Sequence, residues 1–196
     1  MELDGPTLTL RYATDDDASA LFELGSDPDV TRFFSWGPYL RIAEPLAYVG
    51  GLAGQRERGE QLDLLIVHRE DGPIGVTGLS EVSRRDRRAV IGTWIGRRWW
   101  GSGANFESKA LVAHLAFALL GIERLGAYAD LENGRSQAAL EKLGFTREGV
   151  LRRWHRHGET VHDVALFSLL HAEWERSPLA AVPVVLRGEP PERFVV

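Results

Sequence analysis

Apolar and polar positions alternate over residues 8–12 (Leu-Thr-Leu-Arg-Tyr), which predicts a strand. Over residues 15–24 the apolar positions Ala18, Leu21 and Phe22 recur at helical spacing, with Thr14 or an aspartate as cap. An aromatic loop, "TRFFSWGP", follows, and helical spacing returns over 44–58 despite Gly50, Gly51 and Gly54. Residues 62–68 and 74–82 read as strands joined by the turn Asp71-Gly-Pro73, and 89–95, β-branched and aromatic, as a third. Ala110, Leu111, His114, Leu115, Ala118 and Leu119 then mark a helix, with Asn105 as N-cap and Glu107 in the first turn. A short strand over 124–129 precedes a helix over 133–143 that Gly144 stops. Strands over 146–154 and 159–170 close the pattern around a turn near His157-Gly158.

The order is β-α-α-β-β-β-α-β-α-β-β. Hairpins make the middle strands antiparallel, while the strand–helix–strand unit over 89–129 makes a parallel pair by a right-handed crossover. A mixed α/β fold of the α+β kind follows, with helices on both faces of one sheet. Residues 1–176 read as a single domain, and 177–196, with Pro178, Pro183, Pro190 and Pro191, as a tail or an added edge segment.

Composition narrows the class. The chain has 196 residues, 44% hydrophobic and 26% charged, as soluble globular proteins do. It holds no cysteine, which removes disulfides, thiolate metal sites and a covalent cysteine mechanism, and fits a cytoplasmic protein. No apolar run has the length of a membrane span, and the acidic start (Glu2, Asp4) does not resemble a signal peptide. A formal net charge of −5 argues against a nucleic-acid partner. The basic run Ser83-Arg-Arg-Asp-Arg-Arg88 reads as a solvated hairpin tip. In the tail, Val182-Pro-Val-Val-Leu186 and Phe194-Val-Val196 are apolar enough for a homodimer to be expected there.

Between the strand over 89–95 and the next helix lies "RRWWGSGANFESKA". Glycines there let backbone N–H groups approach an anion at a positively polarised helix start, or simply supply a turn with φ > 0. A Walker loop needs Gly-Lys-Ser/Thr, and the next lysine is Lys109, on the helix. A dinucleotide fingerprint needs a small residue where Phe106 stands, although Asp130 does end the following strand as a ribose-binding acid would. The hairpin-rich order argues against that doubly wound sheet.

Arg98-Trp-Trp-Gly101-Ser-Gly103 resembles the Arg/Gln-x-x-Gly-x-Gly/Ala motif of the GCN5-related N-acetyltransferases (GNAT). Three blocks, "IGTWIGRRWWGSGANFESKALVAHLAF", "DLENGRSQAALEKLGFTREGVLR" and "HDVALFSLLHAEW", look like the RimJ/RimL branch, which acetylates ribosomal-protein N-termini. The likeness covers residues 8–174. It implies the GNAT fold, a mostly antiparallel sheet splayed at the cofactor site, and transfer of an acetyl group from acetyl-CoA to a primary amine. The acceptor is a protein N-terminus or a small amine, attacked directly in a ternary complex. It implies no metal.

The resemblance also implies the cofactor site: Arg98, Trp99, Trp100, Gly101, Ser102, Gly103 and Ala104 around the pyrophosphate, and Trp94, Ile95 and Asn133 along the pantetheine arm. A backbone N–H near Ile95 is the implied oxyanion donor, and Ser136 the hydroxyl that protonates the leaving thiolate. Asn133 is also a good N-cap, and Ser136 can equally face solvent in a first turn. On the acceptor side, Phe33, Phe34 and Trp36 either wall a cleft or pin their loop to the core, with Trp154 on the other side. Relatives carry a glutamate where this chain has Val90, so no base is assigned; Glu81, His68 and Asp130 are candidates. The loss of that glutamate leaves an alternative open, a CoA-binding sensor of the same fold with weakened catalysis. His155 and His157 have the alternate spacing of a metal pair, but at a hairpin they read more simply as polar surface.

Overall fold

The computed structural model describes residues 1–196. In chain order its elements are β1 (Glu2–Asp4), β2 (Leu8–Arg11), α1 (Ala18–Gly25), α2 (Pro28–Thr31), α3 (Ala43–Arg58), β3 (Leu62–His68), β4 (Gly72–Ser83) and β5 (Arg88–Ile95). Then come α4 (Ala104–His114), β6 (Arg124–Asp130), α5 (Gly134–Lys142), β7 (Thr146–His157), β8 (Thr160–Leu170), α6 (His171–Trp174) and β9 (Val185–Arg187). The nine strands form one sheet in the order β7-β8-β6-β5-β4-β3-β2-β1-β9. Only the β5–β6 pair is parallel. This is the GNAT fold expected above.

Alternation decides which side of the sheet each residue serves. On β5, Ala89, Ile91 and Ile95 join the larger core, with Leu111, Val112 and Leu115 from α4 and its continuation and Leu125, Ala127 and Ala129 from β6. Trp94 faces the other way, into a smaller core with Leu21 of α1, Val49 of α3, and Leu65 and Val76 from the sheet. α3 runs unbroken through its glycines because Gly50 and Gly51 lie on the exposed side, while Val49 and Leu52 bury the other.

Three local outcomes differ from the sequence pattern. The Asp15 helix begins as a 3₁₀ turn, where the Asp17 carboxylate accepts from the Thr14 N–H (2.8 Å) and from both terminal nitrogens of Arg11 (2.8 and 2.7 Å). α4 starts at Ala104, so Gly103 (φ +95°) holds the cap position predicted for Asn105. Its last turn widens to π-helical geometry over Leu115–Leu119. β1 and β9 carry no alternation long enough to read; β9 pairs antiparallel to β1, with Leu3 opposite Leu186. In the C-terminal stretch Phe194 is fully buried, and Val182, Val184, Leu186 and Val196 pack on the larger core. Val185, 60% exposed, and Val195, 38% exposed, are left on the surface of the same stretch. No helix is long and apolar enough to cross a membrane.

Candidate active site

The parallel pair is brief. β5 and β6 match at Arg88–Arg124, Ala89–Leu125 and Val90–Gly126 and then part, although β5 continues to Ile95 and β6 to Asp130. The Gly96 N–H donates to Ile74 O (2.8 Å). Strand alternation therefore turns the amides of Gly92 and Trp94 toward β4, and those of Thr93 and Ile95 toward the opening. Trp94 serves the site by its indole, packed edge-on against Trp36 at 5.2 Å, not by its backbone.

Beyond β5 the chain makes one 3₁₀ turn over Arg97–Trp99, pinned when Trp100 Nε1 donates to Ile95 O (2.8 Å). Gly101 (φ +80°) and Gly103 (φ +95°) follow, and a Cβ on either would meet no atom within 4 Å. Packing does not require these glycines; the backbone conformation does. The first helical bond of α4 runs from the Glu107 N–H to Gly103 O (3.0 Å), so the preceding amides lie at the positive end of the helix, beside the opening. One side chain locks this helix to the first strands. Glu107, 9% exposed, accepts from the Thr7 N–H (2.7 Å), Thr7 Oγ1 (2.6 Å) and the Leu8 N–H (2.8 Å).

A cavity of about 690 Å³ fills the opening. Its lining includes Trp99, Trp100, Gly101 and Gly103 of the turn, Asn133 and Ser136 of the α5 start, Phe33 and Phe34, and Trp154, His155 and His157 of β7. Asn133 caps α5, its Oδ1 accepting from the Ser136 N–H (3.1 Å), which leaves its Nδ2 for a ligand. Four cations line the walls, Arg156 of β7 among them. Arg135 lies 3.3 Å over the Trp100 ring, Lys142 ends α5, and Lys109 reaches in from α4.

Lys109 is 6% exposed, and its Nζ donates to one protein group, Thr93 Oγ1, at 2.9 Å. Thr93 Oγ1 lies 2.7 Å from Thr77 Oγ1, and both hydroxyls reach Gly92 O (2.7 and 3.0 Å). Burial pushes the ammonium down to about 8. Helical spacing alone gave no sign of this: a lysine at position 109 reads as solvated until the helix is docked on the sheet. Arg135 was equally unmarked, standing next to Ser136 as one more charge on a short helix.

Four expected residues stand elsewhere. Arg98 does not line the cavity; it is exposed, 3.4 Å from Asp71 Oδ1 and 5.2 Å from the Trp99 ring. Ser102 and Ala104 line a smaller cavity of about 330 Å³ on the far side of the turn, with Pro6, Thr7 and Val182. Trp36 sits behind the wall, against Phe34 (5.5 Å), Tyr39 (5.1 Å) and Trp94, and so pins the loop. Phe33, Phe34 and the half-exposed Trp154 do face the cavity. Of the three candidate bases, His68 lines only the small cavity, and Glu81 accepts from the Tyr128 hydroxyl (3.1 Å). Desolvation first, then the charge of Glu81 and the bond to it, hold Tyr128 up at about 12. Asp130 is buried at the end of β6 and faces the large cavity.

The chain is similar to known acetyltransferases over most of its length. The N-acetyltransferase p20 of Bacillus licheniformis is 31% identical over 172 residues, 85% of this chain and 94% of that protein. The structure of a GCN5-related N-acetyltransferase from Brucella melitensis superposes with a TM-score of 0.80 at 22% identity, over 89% of this chain and 80% of that one. The microcin C7 self-immunity acetyltransferase MccE, solved with acetyl-CoA and AMP, gives a TM-score of 0.76 at 20% identity, over 84% and 93%. Residues 7–146 match the family described as "Acetyltransferase (GNAT) domain". That match runs from the residue before β2 to the first residue of β7 and takes in both walls of the parted sheet, so the chain belongs to the GNAT acetyltransferase family.

Proposed function

We propose that this protein is an N-acetyltransferase of the RimJ/RimL type, moving the acetyl group of acetyl-CoA to a primary amine, a protein N-terminus or a small amine. The observation that carries the reading is the opening between β5 and β6 beside a glycine turn at a helix N-terminus. A pantetheine arm is a chain of amides, and the gap-facing amides of Thr93 and Ile95 supply the rungs that β6 no longer does. The pyrophosphate lies against Gly101–Gly103 and the start of α4, with Arg135 at its side. Residues 1–176 carry the transferase, and 177–196 finish its sheet edge.

Acyl transfer here needs alignment, an oxyanion donor and a proton for sulfur. The Ile95 N–H receives the oxyanion, Asn133 Nδ2 holds an amide carbonyl of the arm, and Ser136 Oγ, which engages no protein group, protonates the leaving thiolate. With no cysteine, the amine attacks the thioester directly. Phe33, Phe34 and Trp154 wall the acceptor end.

The test pairs binding with turnover. Acetyl-CoA raises the melting temperature, while NAD and ATP, which lack the arm, raise it much less. Thiol release is then followed with a panel of amines. An equal shift from NAD refutes the reading of the gap. A shift from acetyl-CoA with no thiol release on any amine instead makes the chain a CoA-binding sensor.

A further inference from the structure

The acceptor end contains a group of imidazoles that the pattern of the sequence did not bring together. His155 and His162 are cross-strand partners on β7 and β8. The His155 and His157 rings lie 6.1 Å apart, and those of His157 and His162 4.5 Å apart. His162 Nδ1 in turn stands 2.9 Å from Asp130 Oδ2. His155 and His157 line the large cavity, on the wall that also holds Trp154 and Tyr128, and the His155 ring stands edge-on to Tyr128 at 5.7 Å. Asp130 is the buried end of the row. Its Oδ1 accepts from the Glu132 N–H (2.8 Å), while its Oδ2 is buried without an aligned donor.

We propose that His157 is the base that receives the acceptor's proton, and that His162 and Asp130 are the positioning pair behind it. The inference rests on the acetyltransferase reading above and adds to it the proton acceptor that Val90 cannot be. The acceptor is a primary amine that arrives as an ammonium ion. It gives one proton to the neutral His157 ring, and the freed nitrogen lone pair forms the N–C bond to the thioester carbon. The C–S bond breaks with its electron pair on sulfur. The second amine proton balances the one that sulfur takes up, and the proton on His157 passes to solvent by way of the half-buried His155.

The surroundings suit this task. Desolvation first, then the neighbouring His162 and His155, push His157 below the ordinary imidazole value, against the pull of Asp130. The ring is therefore unprotonated at neutral pH and free to accept. The other charged groups near the row are Arg156, exposed on β7, Glu159 at the hairpin tip, and Glu81, held by Tyr128. Asp163 does not join the row: its carboxylate accepts from the Arg153 N–H (2.7 Å). Once His157 is charged, the Asp130 carboxylate beyond His162 supplies the compensating negative charge.

Steady-state turnover is measured against pH for the wild type, His157→Gln and His162→Gln, using two acceptors. One has an α-amine, with a pKa of about 8, and the other a lysine-like amine, near 10.4. A base matters most where the amine arrives most fully protonated. His157→Gln is expected to lose about 10²-fold in kcat on the lysine-like amine at pH 7, and less on the α-amine, with recovery as pH rises. Its thermal shift with acetyl-CoA stays that of the wild type. Equal losses on both amines at every pH, or no loss, overturn the proposal while leaving the transferase reading intact. A wild type that neither binds acetyl-CoA nor releases thiol overturns both. Imidazole proton NMR supplies a check without turnover. His157 titrates below the free value, and its midpoint rises in His162→Gln, which removes a like charge; a midpoint indifferent to that change overturns the row.

Discussion

Replacing Lys109 by methionine should make the protein more stable at neutral pH. The side chains are similar in length, and the methionine thioether fills the same slot between α4 and β5 without a charge. In the wild type the ammonium is buried with one hydroxyl partner, and its pKa falls from 10.5 to about 8. At 1.36 kcal/mol per pKa unit this places the burden of the buried charge at about 3 kcal/mol, from which the lost Thr93 bond subtracts about 1 kcal/mol. The sign of the pH dependence follows from proton counts. Below about pH 8 both folded and unfolded states hold the proton, and the burden is felt in full. Between about 8 and 10.5 the unfolded chain keeps a proton that the folded one has released, so wild-type stability gains with pH relative to the variant. Urea denaturation at pH 7 and at pH 9.5 measures both quantities. Lys109→Met is expected to be about 2 kcal/mol more stable at pH 7, with the difference shrinking at pH 9.5. A variant less stable at pH 7, or a difference that ignores pH, refutes the picture of a lone cation held in the gap.

Gly103→Val is expected to abolish the acetyl-CoA thermal shift while the protein stays folded, because a β-branched residue resists φ +95° and would cover the open face of the turn; normal binding would make the turn a mere connector. Ser136→Ala should lower kcat and kcat/KM together, by about 10²-fold, with little change in acetyl-CoA affinity, since its bond to sulfur forms only as the thioester breaks. Asn133→Ala, by contrast, should raise KM for acetyl-CoA; the same kinetic profile for both variants would remove the separate roles. Glu107→Leu leaves the buried Leu8 N–H and the part-buried Thr7 N–H unmet, and chemical denaturation should show a loss of about 2–4 kcal/mol. A loss below 1 kcal/mol would show that water takes the place of the carboxylate.

Much of this architecture could be read from side-chain period, because alternation and helical spacing report burial directly. β3 falls on the predicted residues, and the turn after β5 was visible through its glycines. The cap of α4 was misplaced for a physical reason. Asn105 has the better side chain for a cap, but the helix begins where a left-handed residue can reverse the chain, and that residue is Gly103. Arg98 shows a different limit. A motif fixes the order of residues along the backbone but not the rotamer, and here the guanidinium turns to Asp71. The imidazole row depended on strand register: His155 faces His162 only because the β7–β8 pairing shifts between Leu151 and His155. Trp36 was legible as aromatic and apolar, but its layer in the wall depended on where Trp94 stands.

β9 has a consequence for the order in which the molecule assembles and comes apart. The ion pair between Arg187 and Asp4 joins residues 183 positions apart, and the three-residue ladder beside it must close that whole loop. Closing so long a loop brings only six residues into register, so the pairing gains little until the core it borders has formed. It should join last during folding and fray first in the native state. Its ion pairs are also open to screening: Arg187 is 59% exposed and pairs with Glu2 at 2.8 Å and with the less exposed Asp4 at 2.9 Å. Amide hydrogens of β1 and β9 should therefore exchange by local opening, faster in high salt, while those of β3 and β4 wait for global unfolding. The rim of the sheet breathes with ionic strength, and the parted strands at its centre do not.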